Sequence, residues 1–158
     1  LEASGSKKDP DVGNSLSKEL QQWTEATMRL YFSTLMGFVR SRNLNFPRMM
    51  MLFRLAHRGQ CTVSDLSRHM EVSAPAASQL VDKLVEAGYV SRVENRDDRR
   101  IRNIEITPRG LKLVQELKNE HKNKINSILD AIPEEEQEAV QRSLHSLNVI
   151  VRSMQQHD

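Results

Sequence analysis

Two short runs with strand character, Tyr89-Val90 with Val93 and then Ile101, Ile104 and Ile106, flank a turn-rich tip from Asn95 to Asp98. Two such runs this close in sequence fold most simply as a β-hairpin, and a hairpin restricts what its neighbours can be. Its tip carries Arg96, Arg99, Arg100 and Arg102, offset in part by Asp97 and Asp98. Guanidinium groups at that density suit phosphate contacts.

The segment before the hairpin reads as two short helices with almost no gap between them. Thr62 opens the first, Asp65 completes what resembles a capping box, and Val63, Leu66 and Met70 give it one buried face. After Glu71-Val72, Ser73 caps the second, with Pro75 in its first turn. Ala77, Leu80, Val81, Leu84 and Val85 form its core stripe before Gly88 ends it. Helices joined so tightly must cross steeply, which is a helix-turn-helix. With the hairpin immediately after, the pattern is a winged helix-turn-helix, a module that reads the DNA major groove with a helix and the backbone or minor groove with its wing.

Longer amphipathic segments lie on either side. From Ser15 to about Ser41, Leu16, Leu20, Trp23, Thr27, Leu30, Thr34 and Phe38 recur at helical spacing. Phe46-Pro47 then opens a Met-rich helix through Met49, Met50, Leu52, Phe53 and Ala56, with Gly59 as its stop; apolar residues almost surround it, so it should be buried. Thr107-Pro108 starts a helix whose stripe is Leu111, Val114, Leu117, His121, Ile125, Ile128 and Ile132. Pro133 restarts the chain with Glu134, Glu135 and Glu136 at the positive end of a helix dipole, and Val140, Leu144, Leu147, Val151 and Met154 follow at coiled-coil spacing.

That last strip needs a partner. Long helices at both ends can interleave across a two-fold axis, so an obligate homodimer is expected. The fold class is therefore mainly α (α+β), a winged helix-turn-helix with long N- and C-terminal dimerisation helices. Residues 1–14 are expected to be a disordered tail or expression scar, 15–45 the N-terminal dimerisation helix, 46–110 the DNA-binding domain and 111–158 the C-terminal dimerisation helices.

The chain of 158 residues is 38% apolar, enough for one ordinary core if long helices also pair between subunits. The net charge of +2 decides nothing by itself, but residues 47–110 carry 11 basic and 8 acidic side chains against 6 and 8 over residues 111–158. The basic excess thus coincides with the hairpin. A single cysteine, Cys61, excludes an intrachain disulfide framework and fits a reducing compartment, the cytoplasm by default. No apolar run approaches the roughly 20 residues of a membrane span, so no membrane partner is expected.

Scattered glycines give neither a dinucleotide fingerprint nor a P-loop, and no HExxH helix occurs, so the sequence asks for neither an enzyme nor a cofactor. His57, His69, His121, His145 and His157 lack metal-site spacing.

Three stretches in order carry a family resemblance: Ser73-Ala-Pro-Ala-Ala-Ser-Gln-Leu-Val-Asp-Lys-Leu-Val-Glu-Ala-Gly-Tyr-Val-Ser-Arg92, Asp98-Arg99-Arg100, and Ile106-Thr-Pro-Arg-Gly110. They comprise a recognition helix, a Gly-aromatic-Val-x-Arg strand, an Asp-x-Arg wing and a Thr-Pro-x-Gly helix start. On these residues the chain resembles the MarR family of bacterial transcription regulators, from roughly Leu16 to Met154. The terminal helices match only in length and apolar spacing.

The resemblance implies a dimeric, triangular α+β fold. It implies binding to a palindromic operator in double-stranded DNA, with repression as the default output. A small, often aromatic, ligand seated between dimerisation and DNA-binding lobes would release the operator. The resemblance further implies that Asp98 holds Arg100 in a charge-assisted pair before the guanidinium enters the minor groove. Members that sense peroxide do so through a cysteine near the start of the first helix, where this sequence has none.

The candidate DNA-binding residues fall into three sets. On the helix capped by Ser73, itself a candidate DNA contact, the non-core positions Pro75, Ala76, Ser78, Gln79 and Lys83 should face the major groove. There the Gln79 amide can pair bidentately with adenine, Ser78 can bond a base edge or phosphate, and Ala76 with Pro75 can meet a thymine methyl. The wing contributes Arg96, Asp98, Arg99, Arg100 and Arg102. Thr62, Ser64 and Arg68 stand where phosphate contacts are expected, although capping explains Thr62 and Ser64 equally well.

Trp23, Tyr31, Met50, Phe53, Arg54 and His57 could line an adaptable pocket for a small-molecule effector, with Arg54 or His57 holding an anionic group. Core packing between the first two helices is the competing explanation of the same residues. The rival to the regulator reading as a whole is a winged-helix protein-interaction module without sequence-specific DNA binding.

Overall fold

The computed structural model describes residues 10–94 and 102–156. It runs α1 (Pro10–Ser41), α2 (Phe46–Arg58), β1 (Cys61–Thr62), α3 (Val63–His69), α4 (Ala74–Glu86), β2 (Val90–Glu94), β3 (Arg102–Ile106), α5 (Pro108–Leu129) and α6 (Glu134–Gln155). Helix α1 begins at Pro10, ahead of the expected start at Ser15. The chain divides into a unit that ends at His121 and another that begins at Lys122, within α5.

In the first unit the helix ends are specified locally. Asn43 and Glu71 (both φ 53) and Gly88 (φ 72) each turn left-handed at the end of α1, α3 and α4. The following amides reach back into the finished helix: Leu44 to the Val39 carbonyl at 2.9 Å, Val72 to Ser67 at 3.1 Å and Tyr89 to Leu84 at 2.9 Å. These are Schellman closures, which glycine makes without strain and asparagine with little. Glutamate at position 71 carries the left-handed penalty, about 1–2 kcal/mol for an ordinary L-residue.

Helix starts are equally well marked. Asn45 Oδ1 accepts from the Arg48 amide at 3.0 Å, and Ser73 Oγ accepts from Ala76 at 3.3 Å. At α3 the expected capping box is complete: the Asp65 amide donates to Thr62 Oγ1, and the Thr62 amide donates to Asp65 Oδ2, each at 3.1 Å.

The hairpin is β2 paired antiparallel with β3, Val90 opposite Ile106 and Glu94 opposite Arg102. A third strand, β1, was not anticipated; Cys61 and Thr62 pair with Ile104 and Asn103, giving the sheet order β1-β3-β2. Cys61 is accordingly a strand residue. Asn103 is buried within the sheet, and its Nδ2 donates to Gln60 Oε1 at 3.2 Å, as a buried amide requires.

Below the sheet the core joins Leu35 and Phe38 of α1, Leu52 of α2, Leu66 of α3, Val81 and Leu84 of α4 and Ile104 of β3. Two expectations change here. Helix α2 is not buried all round, because Met50 and Phe53 remain partly open. In α5 the inward stripe begins at Leu113 with Val114 and Leu117, while Leu111 is 47% exposed.

The Thr-Pro-x-Gly start of α5 has a steric cause. A Cβ on Gly110 would lie 2.2 Å from the Tyr89 carbonyl oxygen and 2.7 Å from Ile106 Cγ1, so only glycine lets the helix approach the sheet this closely. Thr107 secures the same junction. Its hydroxyl donates to the Gly88 carbonyl at 2.7 Å and accepts from the Gly110 amide at 3.1 Å.

The second unit is the end of α5 turning back through Asp130 to Pro133 into α6. Its turn closes with Ala131 and Ile132 donating to the Ile128 and Leu129 carbonyls, both at 3.1 Å. No residue of α6 is buried.

Candidate nucleic-acid interface

Helix α4 presents one face to the core and the other to solvent. Ala77, Val81 and Leu84 are fully buried, which fixes the rotation of the helix about its axis. Pro75, Gln79 and Lys83 are then exposed and Ala76 and Ser78 half-exposed, the five positions expected to face outward. Ser73 serves as the N-cap acceptor, so its hydroxyl proton remains available to an outside acceptor.

A shallow groove of about 520 Å3 runs along this face, with Ala76, Gln79 and Lys83 on its wall and Arg48 of α2 opposite. Arg48 was not singled out in the sequence, where it is one of many basic residues beside a proline. Its Nε is buried without a hydrogen-bond partner among the described residues. Lys83 is held by Glu86 at 2.8 Å, an exposed pair worth little and easily exchanged for another anion. Asp82 pairs with Arg92 of β2, which ties α4 to the hairpin. That contact joins the helix stripe to the strand pattern, and neither pattern alone points to it.

On α3 the structure separates the two explanations offered for Thr62. Its hydroxyl accepts from the Asp65 amide and donates to Asp65 Oδ2 at 2.7 Å, so it is engaged in the cap. The Thr62 hydroxyl, followed by its amide, holds the Asp65 carboxyl below the usual carboxylate range. Ser64 and Arg68 are exposed, and Arg68 approaches Asp65 only to 3.9 Å.

Arg102 is exposed at the start of β3. Arg96, Asp98, Arg99 and Arg100 lie outside the described residues, and with them the expected Asp98–Arg100 pair.

The effector candidates separate into two places. Met50, Phe53, Arg54 and His57 line a hollow of about 620 Å3 between α2 and the α3–α4 corner, where Phe46 and Met70 extend its apolar wall. Trp23 and Tyr31 are not part of it. Trp23 stands 53% exposed on α1, and Tyr31 packs edge-on against Phe32 and against His121 of α5, with centroids 6.2 and 5.0 Å apart. The aromatic cluster in the sequence thus reflected composition rather than one cavity. Cys61 is half-buried, and burial pushes its thiol up, opposite to what a reactive thiolate needs.

Comparison with known proteins agrees with this geometry. Residues 42–101 match the family model described as MarR family. The chain is 28% identical over 138 residues to an uncharacterised HTH-type transcriptional regulator, YfiV, of Bacillus subtilis strain 168, covering 85% of this chain and 86% of that protein. Among solved structures it resembles a mutant of S. aureus MepR bound to an oligodeoxyribonucleotide, with TM-score 0.68 and 17% identity over 86% of this chain and 97% of that one. It also resembles NadR in complex with 4-hydroxyphenylacetate, with TM-score 0.54 and 20% identity over 93% and 97%.

Proposed function

We propose that the chain is a winged helix-turn-helix transcriptional regulator of the MarR family, whose model it matches over residues 42–101, and that it binds a palindromic operator in double-stranded DNA as a cytoplasmic homodimer. It acts by binding rather than catalysis, repressing transcription until a small aromatic anion releases it. The observation that carries this reading is the outer face of α4, where Pro75, Ala76, Ser78, Gln79 and Lys83 are open to solvent on a helix capped and oriented by its buried side. Gln79 is the residue best suited to discriminate bases.

A gel shift on the DNA upstream of the chain's own coding region tests it. Gln79→Ala should change which sequence is preferred, since each bidentate amide–adenine pair is worth about 1–3 kcal/mol of discrimination. Equal affinities for all duplexes, unchanged by the substitution, would instead favour a protein-interaction module.

Exposed apolar side chains support the homodimer. Leu16, Trp23 and Met28 of α1 are 51–65% exposed, and Val149, Ile150, Val151 and Met154 of α6 are 49–66% exposed. Faces of this kind belong in an interface. The α2 hollow supports the effector: its size falls within the range of about 300–1,000 Å3 typical of ligand sites, and apolar walls meet Arg54 and His57 at its edge. NadR's 4-hydroxyphenylacetate sets the ligand class to try first. A thermal-shift series with phenolic carboxylates should raise the melting temperature, and a flat series would count against this class.

A further inference from the structure

Beside the apolar hollow lies another of about 390 Å3, walled by Arg54 and Arg58 near the end of α2 and by Arg68 of α3, with Asp65 its one acidic lining residue. Three guanidinium groups around one carboxylate leave an excess of positive charge. The carboxylate, which its hydrogen bonds hold ionised, offsets one of these three charges and leaves the other two uncompensated. It is engaged by the Thr62 hydroxyl at 2.7 Å and the Thr62 amide at 3.1 Å, and it stays 3.9 Å from Arg68. Arg54 and Arg58 make no hydrogen bond or ion pair with another described residue. The floor adds no anion, since burial keeps the Cys61 thiol protonated.

Cations gathered in excess of their counter-ions repel one another unless a ligand supplies the missing negative charge. Guanidinium forks offer paired donors in a plane, and a group with several equivalent oxygens can accept from more than one fork at a time. A carboxylate presents its oxygens in one plane and meets one fork squarely, whereas the tetrahedral oxygens of a phosphate, diester or free, can be met by forks from different directions.

We propose that this hollow is a phosphate-binding site formed by Arg54, Arg58 and Arg68, additional to the outer face of α4 and the hairpin. The phosphate arrives either as a backbone diester of duplex DNA or as a free phosphate. The first source rests on the DNA-binding reading above, and the second does not.

The test uses the full chain and the double variant Arg54→Gln/Arg58→Gln, with Arg58→Gln alone as a milder change at an exposed position. Affinity for an operator duplex is measured across salt concentrations. In parallel, inorganic phosphate and pyrophosphate are titrated while the melting temperature is followed. If DNA is the source, the plot of log affinity against log salt becomes shallower by about 0.9 for each phosphate no longer neutralised. If a free phosphate is the source, the anions raise the melting temperature of the wild type but not of the double variant, and the salt slope is unchanged. Identical slopes together with identical anion responses in wild type and variants overturn the proposal. Should the wild type bind no duplex at all, the regulator reading fails while the anion titration still decides the site.

Discussion

The winged lobe and α6 are apolar in comparable proportion, yet they finish in opposite states. In the lobe, Leu66, Val81, Leu84 and Ile104 are completely excluded from solvent, and each helix from α2 to α5 starts on a side-chain cap. In α6 nothing is buried, and Met154 is 66% exposed. The lobe has satisfied its own hydrophobic pattern, whereas α6 leaves Val149, Ile150, Val151 and Met154 exposed and its Val140, Leu144 and Leu147 only partly covered. Periodicity alone therefore specifies that a face will be covered, without specifying which chain covers it.

Substitutions put that contrast at risk. The largest effect is expected for Leu84→Ala, a deletion in a closed core, which should cost about 2–5 kcal/mol in denaturant unfolding. If Leu84→Ala proved no worse than Met154→Ala, the two regions would not differ as described. Gly110→Ala should follow at about 1–3 kcal/mol, because a methyl group forced against the Tyr89 carbonyl is overpacking against backbone. Val151→Asp probes the other side of the comparison. Sedimentation should show self-association weakened at least tenfold, about 1.4 kcal/mol, while an unassociated chain would change by no more than about 0.5 kcal/mol.

Smaller effects concern the lobe itself. Thr62→Ala removes one half of the α3 capping box and should cost about 1 kcal/mol at neutral pH. Because the Asp65 carboxyl is depressed in the fold, its stabilisation is complete above the unfolded carboxylate pKa of about 3.9. It is lost as pH falls through the lower folded value, so acid titration should narrow the gap between wild type and variant. Glu71→Gly should act in the opposite direction, stabilising by about 0.5–1 kcal/mol through relief of a left-handed glutamate, offset by glycine's greater chain entropy. A melting temperature unchanged or lowered by that substitution would show that the Glu71 side chain contributes interactions of its own.

Much of the lobe was legible because its signals are local. Ser73, Pro75 and Gly88 mark the ends of α4 within its own sequence, and Thr62 with Asp65 does the same for α3. The inward positions of α4 followed from spacing, and the outward ones from what was left. Strand β1 was not legible, since a pair of residues has no alternation to read and its pairing with Ile104 and Asn103 is set by the distant hairpin. Arg48 and the Asp82–Arg92 pair were missed for a related reason: each depends on which elements pack together. Nearness in sequence likewise grouped Trp23 and Tyr31 with α2 residues, although these two side chains do not line the α2 hollow.

The glycine at the foot of α5 has a mechanical corollary. Where two elements touch through flexible side chains, a small slip of one is absorbed by rotamer changes and goes no further. Between α5 and the chain at Tyr89 there is no such cushion, because bare backbone rests on backbone. A twist of α5 at that point must be passed on to the root of the hairpin, which makes the joint behave as a gear tooth instead of a spring.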